Sequence, residues 1–205
     1  MKVSNIFNYF SDKKKERTNN NLLNVKERED LQQRLTTLQN EIGVSFETKV
    51  IAVTSINDDE LSARFAKGFA DAYALNGAST IIIDANLYNP SLSVVLGKGE
   101  NKNAEQYELD KSVSCYCFQK EVYPSAYIKE GNVHKIINEK KEQFDHVIIL
   151  LPSVKKHKEI VLFKDVLNAV VLLTERNKTR KQDIYEASCY FKQEELPLAK
   201  VVLLK

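Results

Sequence analysis

Two short, uninterrupted apolar runs on either side of a helical stripe constrain this chain more than any other feature. Val50-Ile51-Ala52-Val53-Thr54 and Thr80-Ile81-Ile82-Ile83-Asp84 read as strands buried on both faces, because a half-exposed strand would alternate apolar with polar residues. Between them Leu61, Phe65, Phe69 and Tyr73 recur every four residues, which places them on one helical face, and Asn76-Gly77 closes the helix. Parallel neighbours need a crossover and antiparallel ones only a tight turn, so strand, helix, strand predicts a parallel sheet with helices on both faces.

The remaining grammar continues the pattern. Val113 to Phe118 reads as a third strand, 124–143 as a helix, His146 to Leu151 as a strand, Ala169 to Thr174 as another, 179–193 as a helix and Lys200 to Leu204 as the last strand. Upstream, Leu31, Leu35, Leu38 and Ile42 mark a leading helix that starts near Leu23 and is closed by Gly43. The expected architecture is a doubly wound, mainly parallel α/β domain over 23–205, including a leading helix at 23–43, after a polar tail at 1–22. In that tail Val3, Ile6, Phe7 and Phe10 share a helical face ahead of Lys13-Lys14-Lys15-Glu16-Arg17. This supports either a short membrane-surface or partner-docking helix or, more simply, a frayed terminus packed on the domain.

Composition excludes several classes. A chain that is 43% apolar and 28% charged is globular, and no apolar run approaches the ~20 residues of a membrane span. The first residues hold no uninterrupted apolar core, so no secretory signal is expected. Three Cys without such a signal fit a reducing cytoplasm. A net charge of +2 makes no case for a nucleic-acid partner. Cys115 and Cys117 share one face of a strand, and His134, His146 and His157 lie in separate elements, so buried thiols are expected here and no metal.

Glycine is the scarcest informative residue. An average chain of this length would carry roughly 14, and this one has 6, with none between Gly43 and Gly68. A phosphate cradle needs clustered glycines so that backbone N–H groups can wrap the ligand, and only Gly97 and Gly99 lie close together.

Several segments nonetheless form a familiar series. Lys49-Val50-Ile51-Ala52-Val53-Thr54-Ser55, then a loop and helix, then Ile81-Ile82-Ile83-Asp84-Ala85-Asn86-Leu87-Tyr88-Asn89-Pro90-Ser91-Leu92, resembles the cytoplasmic domain of the bacterial tyrosine kinases (BY-kinases) of capsule and exopolysaccharide synthesis, relatives of the MinD and ParA ATPases. Tyr123-Pro124, Phe144-Asp145-His146-Val147-Ile148-Ile149, Asn168-Ala169-Val170-Val171-Leu172 and Lys178-Thr179-Arg180 follow in the family's order. The resemblance implies a P-loop NTPase-like fold from about Lys49 to the C-terminus.

The family's chemical groups are replaced at the matching positions. Where its phosphate loop has glycines, this chain has Asp59 and Leu61; Ser62 stands in place of the phosphate-binding lysine and Ala63 in place of the magnesium hydroxyl. Asp58, Asp59 and Glu60 bring three carboxylates to a helix start that would otherwise attract an anion, where they are expected to cap the helix themselves and to repel phosphate. In the second acidic motif Asp84 is retained and Asn86 replaces its companion, leaving Asp84 as a turn-capping residue at a strand end. Leu150 stands where the family has its third magnesium-associated acid. Of the family's ring-forming Glu and two Arg, the aligned Leu31, Arg34 and Thr37 keep only Arg34.

The expectation is therefore a non-catalytic, cofactor-free BY-kinase-like binding or regulatory module. The resemblance implies as partner the cytoplasmic tail of a membrane polysaccharide co-polymerase or adaptor, or an active BY-kinase paralogue. That partner would place the module in the cytoplasm, at the inner face of the membrane, with residues 1–17 as a peripheral contact. Arg34 and Lys155, Lys156 and Lys158 are the candidate partner contacts, the lysines because they follow a strand at the ligand-facing end of the sheet. Two other readings stay open: an atypical active tyrosine kinase or ATPase, and a MinD/ParA-like protein positioned on membrane or nucleoid.

Overall fold

The computed structural model describes residues 25–42, 49–97 and 105–204. The chain runs α1 (Val25–Ile42), β1 (Val50–Ser55), α2 (Asp59–Leu75), β2 (Thr80–Asp84), α3 (Leu92–Val95), β3 (Glu105–Asp110) and β4 (Val113–Cys117). It continues through α4 (Pro124–Lys129), α5 (Asn132–Gln143), β5 (His146–Leu150), a 3₁₀ helix (Glu159–Val166), β6 (Ala169–Glu175), α6 (Lys181–Gln193) and β7 (Leu198–Leu204). The seven strands form one sheet in the order β3-β4-β2-β5-β1-β6-β7. Every pairing is parallel except β3 with β4. This is the mainly parallel α/β fold expected from the sequence.

The continuous apolar runs are explained by what covers each face. Ile51, Val53, Ile82, Ile148, Val171 and Leu173 point into one core with α1 and α2. Val50, Ala52, Ile81, Ile83, Val170 and Leu172 point into the other with α5, α6 and the 3₁₀ helix. The strand period of two thus sends neighbouring residues into separate cores. The stripe on α2 is fully used: Phe65 and Phe69 stack at 5.6 Å, and Tyr73 meets Phe69 edge-on at 5.0 Å. Cys115 and Cys117 are buried with Val113 on the α2 side, as their spacing predicts.

Four differences from expectation exceed a single residue. The helix over 124–143 is two helices, because Gly131 adopts φ +84 in the left-handed region and breaks the ladder between Lys129 and Asn132. β3 has no continuous apolar run: as an edge strand it exposes Glu105, Gln106, Glu108 and Asp110 and packs only Tyr107 and Leu109 against the core, an alternation too short to mark it. α6 begins at Lys181 and not at 179, because Thr179 closes a turn in which its hydroxyl accepts the Glu175 N–H at 2.9 Å. β7 starts two residues before Lys200, at Leu198. The Leu31 side chain, Gly43, the Gly97–Gly99 pair beyond Gly97 and the 1–22 tail lie outside the described residues. No helix among the described residues is long and apolar enough to cross a membrane.

Candidate functional site

Parallel pairing brings the ends of β1, β2, β5 and β6 to one rim of the sheet, with Ser55, Asp84, Leu150 and Glu175 at the strand ends. Open parallel sheets bind ligands beyond this carboxyl rim. Here the rim is occupied by the chain's own polar groups.

The loop after β1 is short, and Ser55 begins its closure by accepting the Asp58 N–H at 2.9 Å. Asp58 is extended, with φ −127 and ψ 107, and its Oδ1 accepts the Leu61 N–H at 3.1 Å, which makes it the N-cap of α2. Asp59 does not cap the helix. Its Oδ1 instead accepts the Ser153 N–H at 2.7 Å, tying the start of α2 to the loop after β5. Glu60 pairs with Arg64 one turn along α2. The expectation that all three acids cap the helix is thus corrected to one, because cap geometry belongs to the residue preceding the first turn, whereas side chains inside that turn project outward. Leu61, Ser62 and Ala63 are buried, and Ser62 Oγ donates back to the Asp58 carbonyl at 3.4 Å.

Beside this loop Asp84 is fully enclosed. Its Oδ2 accepts the Ser91 and Leu92 N–H groups at 2.8 Å each, and its Oδ1 accepts the Asn86 N–H at 3.2 Å. The carboxylate therefore shapes the turn from β2 to α3, the capping role expected of it. Burial pushes its pKa up to about 6; the three N–H groups pull it down, and the nearby charge of Asp59 adds to the rise. Asn86 is also buried, its Oδ1 accepting the Asn89 N–H at 3.2 Å. Leu150, where the resemblance places an acid, is packed in the α2 core at 2% exposure.

Sequence reading did not anticipate a second polar cluster on the same rim. Glu159 accepts hydrogen bonds from Tyr88 Oη and, at 2.7 Å, from Ser125 Oγ, while His157 stacks on the Tyr88 ring at 3.6 Å. These residues come from the turn after β2, the first turn of α4 and the segment that leads into and begins the 3₁₀ helix, and no local spacing links them. The two hydroxyls oppose the effect of burial and leave the Glu159 carboxyl below its ordinary range.

The candidate partner contacts separate into two places. Arg34 lies on α1, where its guanidinium forks onto Asp30 at 2.8 and 3.2 Å, on the face of the sheet opposite α6. The three lysines follow β5 and run along α6: Lys155 pairs with Asp183 at 2.9 Å, Lys158 lies 4.3 Å over the Tyr190 ring, and Lys156 is exposed. Lys178, from the loop after β6, pairs with Glu175 at 2.6 Å within the influence of Asp58.

No protein-family model matches the sequence, and no curated protein sequence matches it. Solved structures do match. The chimerical protein CapA2B2 superposes with a TM-score of 0.76 at 17% identity, over 84% of this chain and 83% of that one. The VpsO kinase domain gives 0.76 at 16% identity, over 88% and 97%. The BceF tyrosine kinase domain gives 0.72 at 14% identity, over 87% and 77%. The chain has the fold of a bacterial tyrosine-kinase domain. The wider P-loop ATPase group is less similar: a ParA-family ATPase from Chlorobium tepidum gives 0.55 at 13% identity over 78% and 73%, and MinD from Pyrococcus horikoshii, solved with Mg-ADP, gives 0.57 at 15% over 73% and 67%. At these identities the likeness is one of fold, and chemistry has to be argued from the residues.

Proposed function

We propose that this chain is a non-catalytic BY-kinase-like module that works by binding a partner in surface polysaccharide synthesis. The observation that carries the reading is the Asp59 carboxylate on the Ser153 N–H, beside the Asp58 cap. In a phosphate loop, backbone N–H groups at this helix start face the ligand, a lysine neutralises its charge and a hydroxyl holds Mg²⁺. Here side-chain oxygens already use two N–H groups around this helix start, Ser55 Oγ the Asp58 N–H and Asp58 Oδ1 the Leu61 N–H, and Ser62 and Ala63 offer neither the cation nor the exposed hydroxyl. An incoming triphosphate would also meet the carboxylates of Asp58, Asp59 and Glu60.

The kinase-domain fold and the sequence resemblance support a partner of the family's kind: the cytoplasmic tail of a membrane co-polymerase or adaptor, or an active paralogue. A cytoplasmic place near the membrane goes with such a partner. Isothermal titration of the full chain with Mg-ATP and Mg-ADP tests the reading. No saturable heat is expected up to millimolar nucleotide, and micromolar binding would overturn it in favour of an atypical kinase or ATPase.

A further inference from the structure

The cations of the carboxyl rim form a surface with its own logic. Lys155 reaches Asp183 on the first turn of α6, and the Lys158 carbonyl accepts the Tyr190 hydroxyl at 3.0 Å two turns later. These two contacts lay the 155–158 loop along α6 and bring it beside the loop after β6, which carries Arg176, Lys178 and Arg180 into Lys181. Lys155 and Lys178 have acidic partners. Lys156, Arg176, Arg180 and Lys181 are exposed and, among the described residues, form no ion pair. Four cations without an ion pair thus stand beyond β5 and β6, the two strands that flank β1.

The placement also runs against local stability. Arg180 occupies the N-cap position of α6 with no side-chain cap hydrogen bond, and Lys181 follows in a first turn whose one acid, Asp183, is held by Lys155 and also feels the Arg180 backbone N–H and charge. A helix start carries partial positive charge and favours acids, so cations here are less favourable than a Ser or Asp would be. Unpaired charge held at an unfavourable position is what a binding surface requires.

We infer that this arc of cations is a docking surface for an acidic segment of a partner protein. Two observations favour a narrow peptide over a broad polyanion such as a membrane or a nucleic-acid duplex. Asp58, Asp59 and Glu60 start the neighbouring helix, with Asp58 close enough to act on Lys178, so a flat anionic surface would face repulsion beside the arc. The cations themselves follow two adjacent loops, a track that an extended acidic chain can contact with successive side chains. The inference rests on the binding-module reading and specifies its surface and the chemistry of its partner.

Fluorescence anisotropy of a fluorescein-labelled Glu-rich peptide, titrated with the full chain, tests it. The triple variant Lys156→Glu, Arg180→Glu, Lys181→Glu should weaken binding by at least about tenfold, and raising salt should weaken it further. A control triple of exposed lysines elsewhere, Lys120→Glu, Lys129→Glu, Lys135→Glu, should leave it within about twofold. Peptide binding that ignores the first triple, equal loss in the control, or stronger retention on phosphatidylserine vesicles or a DNA duplex than on the peptide would each overturn the assignment. Mg-ATP titrated into the same samples separates the two failures: saturable nucleotide binding overturns the non-catalytic reading, whereas a peptide indifferent to the first triple overturns the docking surface alone.

Discussion

Helices α2 and α6 start beyond adjacent strands, β1 and β6, on the same rim, yet their starts are built in opposite ways. The start of α2 is acidic and satisfied from within: Asp58 caps it, Asp59 straps it to Ser153, and Glu60 holds Arg64. The start of α6 sets Arg180 and Lys181, neither with an ion pair among the described residues, around a single acid, Asp183, and its N-cap side chain makes no cap hydrogen bond. Both positions have the same dipole and the same kind of free N–H groups, so backbone geometry cannot account for the contrast. Charge alone divides the rim into a closed half, where a phosphate would normally sit, and an open half suited to an acidic partner.

The sharpest test of the closed half is pH. Asp84, beside the α2 start, has its pKa raised to about 6 in the folded chain, above its ordinary value of 3.8. A raised carboxyl gives a stability contribution that is fully present below the unfolded pKa and lost as pH rises through the folded one. Between about pH 4 and 6 the Asp84 contribution should therefore decline, by on the order of 3 kcal/mol at most. Urea unfolding across that window, compared with Asp84→Asn, checks the slope: the variant should lack this decline, and parallel curves would show that Asp84 does not titrate there.

A smaller effect should come from the strap. Asp59→Ala leaves the Ser153 N–H without its acceptor and should cost about 1–3 kcal/mol, read as a lower urea midpoint at unchanged slope. The smallest effects compare the caps directly. Asp58→Ala should destabilise by about 0.5–2 kcal/mol, whereas Arg180→Asp should stabilise by about 0.5–1 kcal/mol by giving α6 the cap it lacks. If both changes destabilise in thermal melts, the two helix starts are not opposites in energy and the contrast fails.

Most of the fold was legible because β1 and β2 bury both faces and so keep unbroken apolar runs, while the α2 stripe repeats at helical spacing. β3 was not legible, since only Tyr107 and Leu109 of this edge strand reach the core, too few alternating residues to mark a strand. In the site, the Asp58 cap and the Asp84 turn were legible because their partners lie within eight residues in sequence. The Asp59 strap joins residues 94 apart, and the Lys155 contact with Asp183 spans 28, so each depends on which strands become neighbours in the sheet. The basic run 155–158 was visible as charge, but only the structure distinguishes Lys156, which has no ion pair, from Lys155, which has one. Likewise Tyr88, Ser125 and Glu159 carry no shared spacing that could have announced their cluster.

The Asp59 strap changes how this fold responds to its surroundings. A ligand that bridges two loops stabilises them by an amount that grows with the ratio of its concentration to its dissociation constant. A carboxylate on the chain itself has no such dependence: its effective concentration at the Ser153 N–H is fixed by the fold. The junction between the loops after β1 and β5 is therefore held equally in a starved cell and in a growing one.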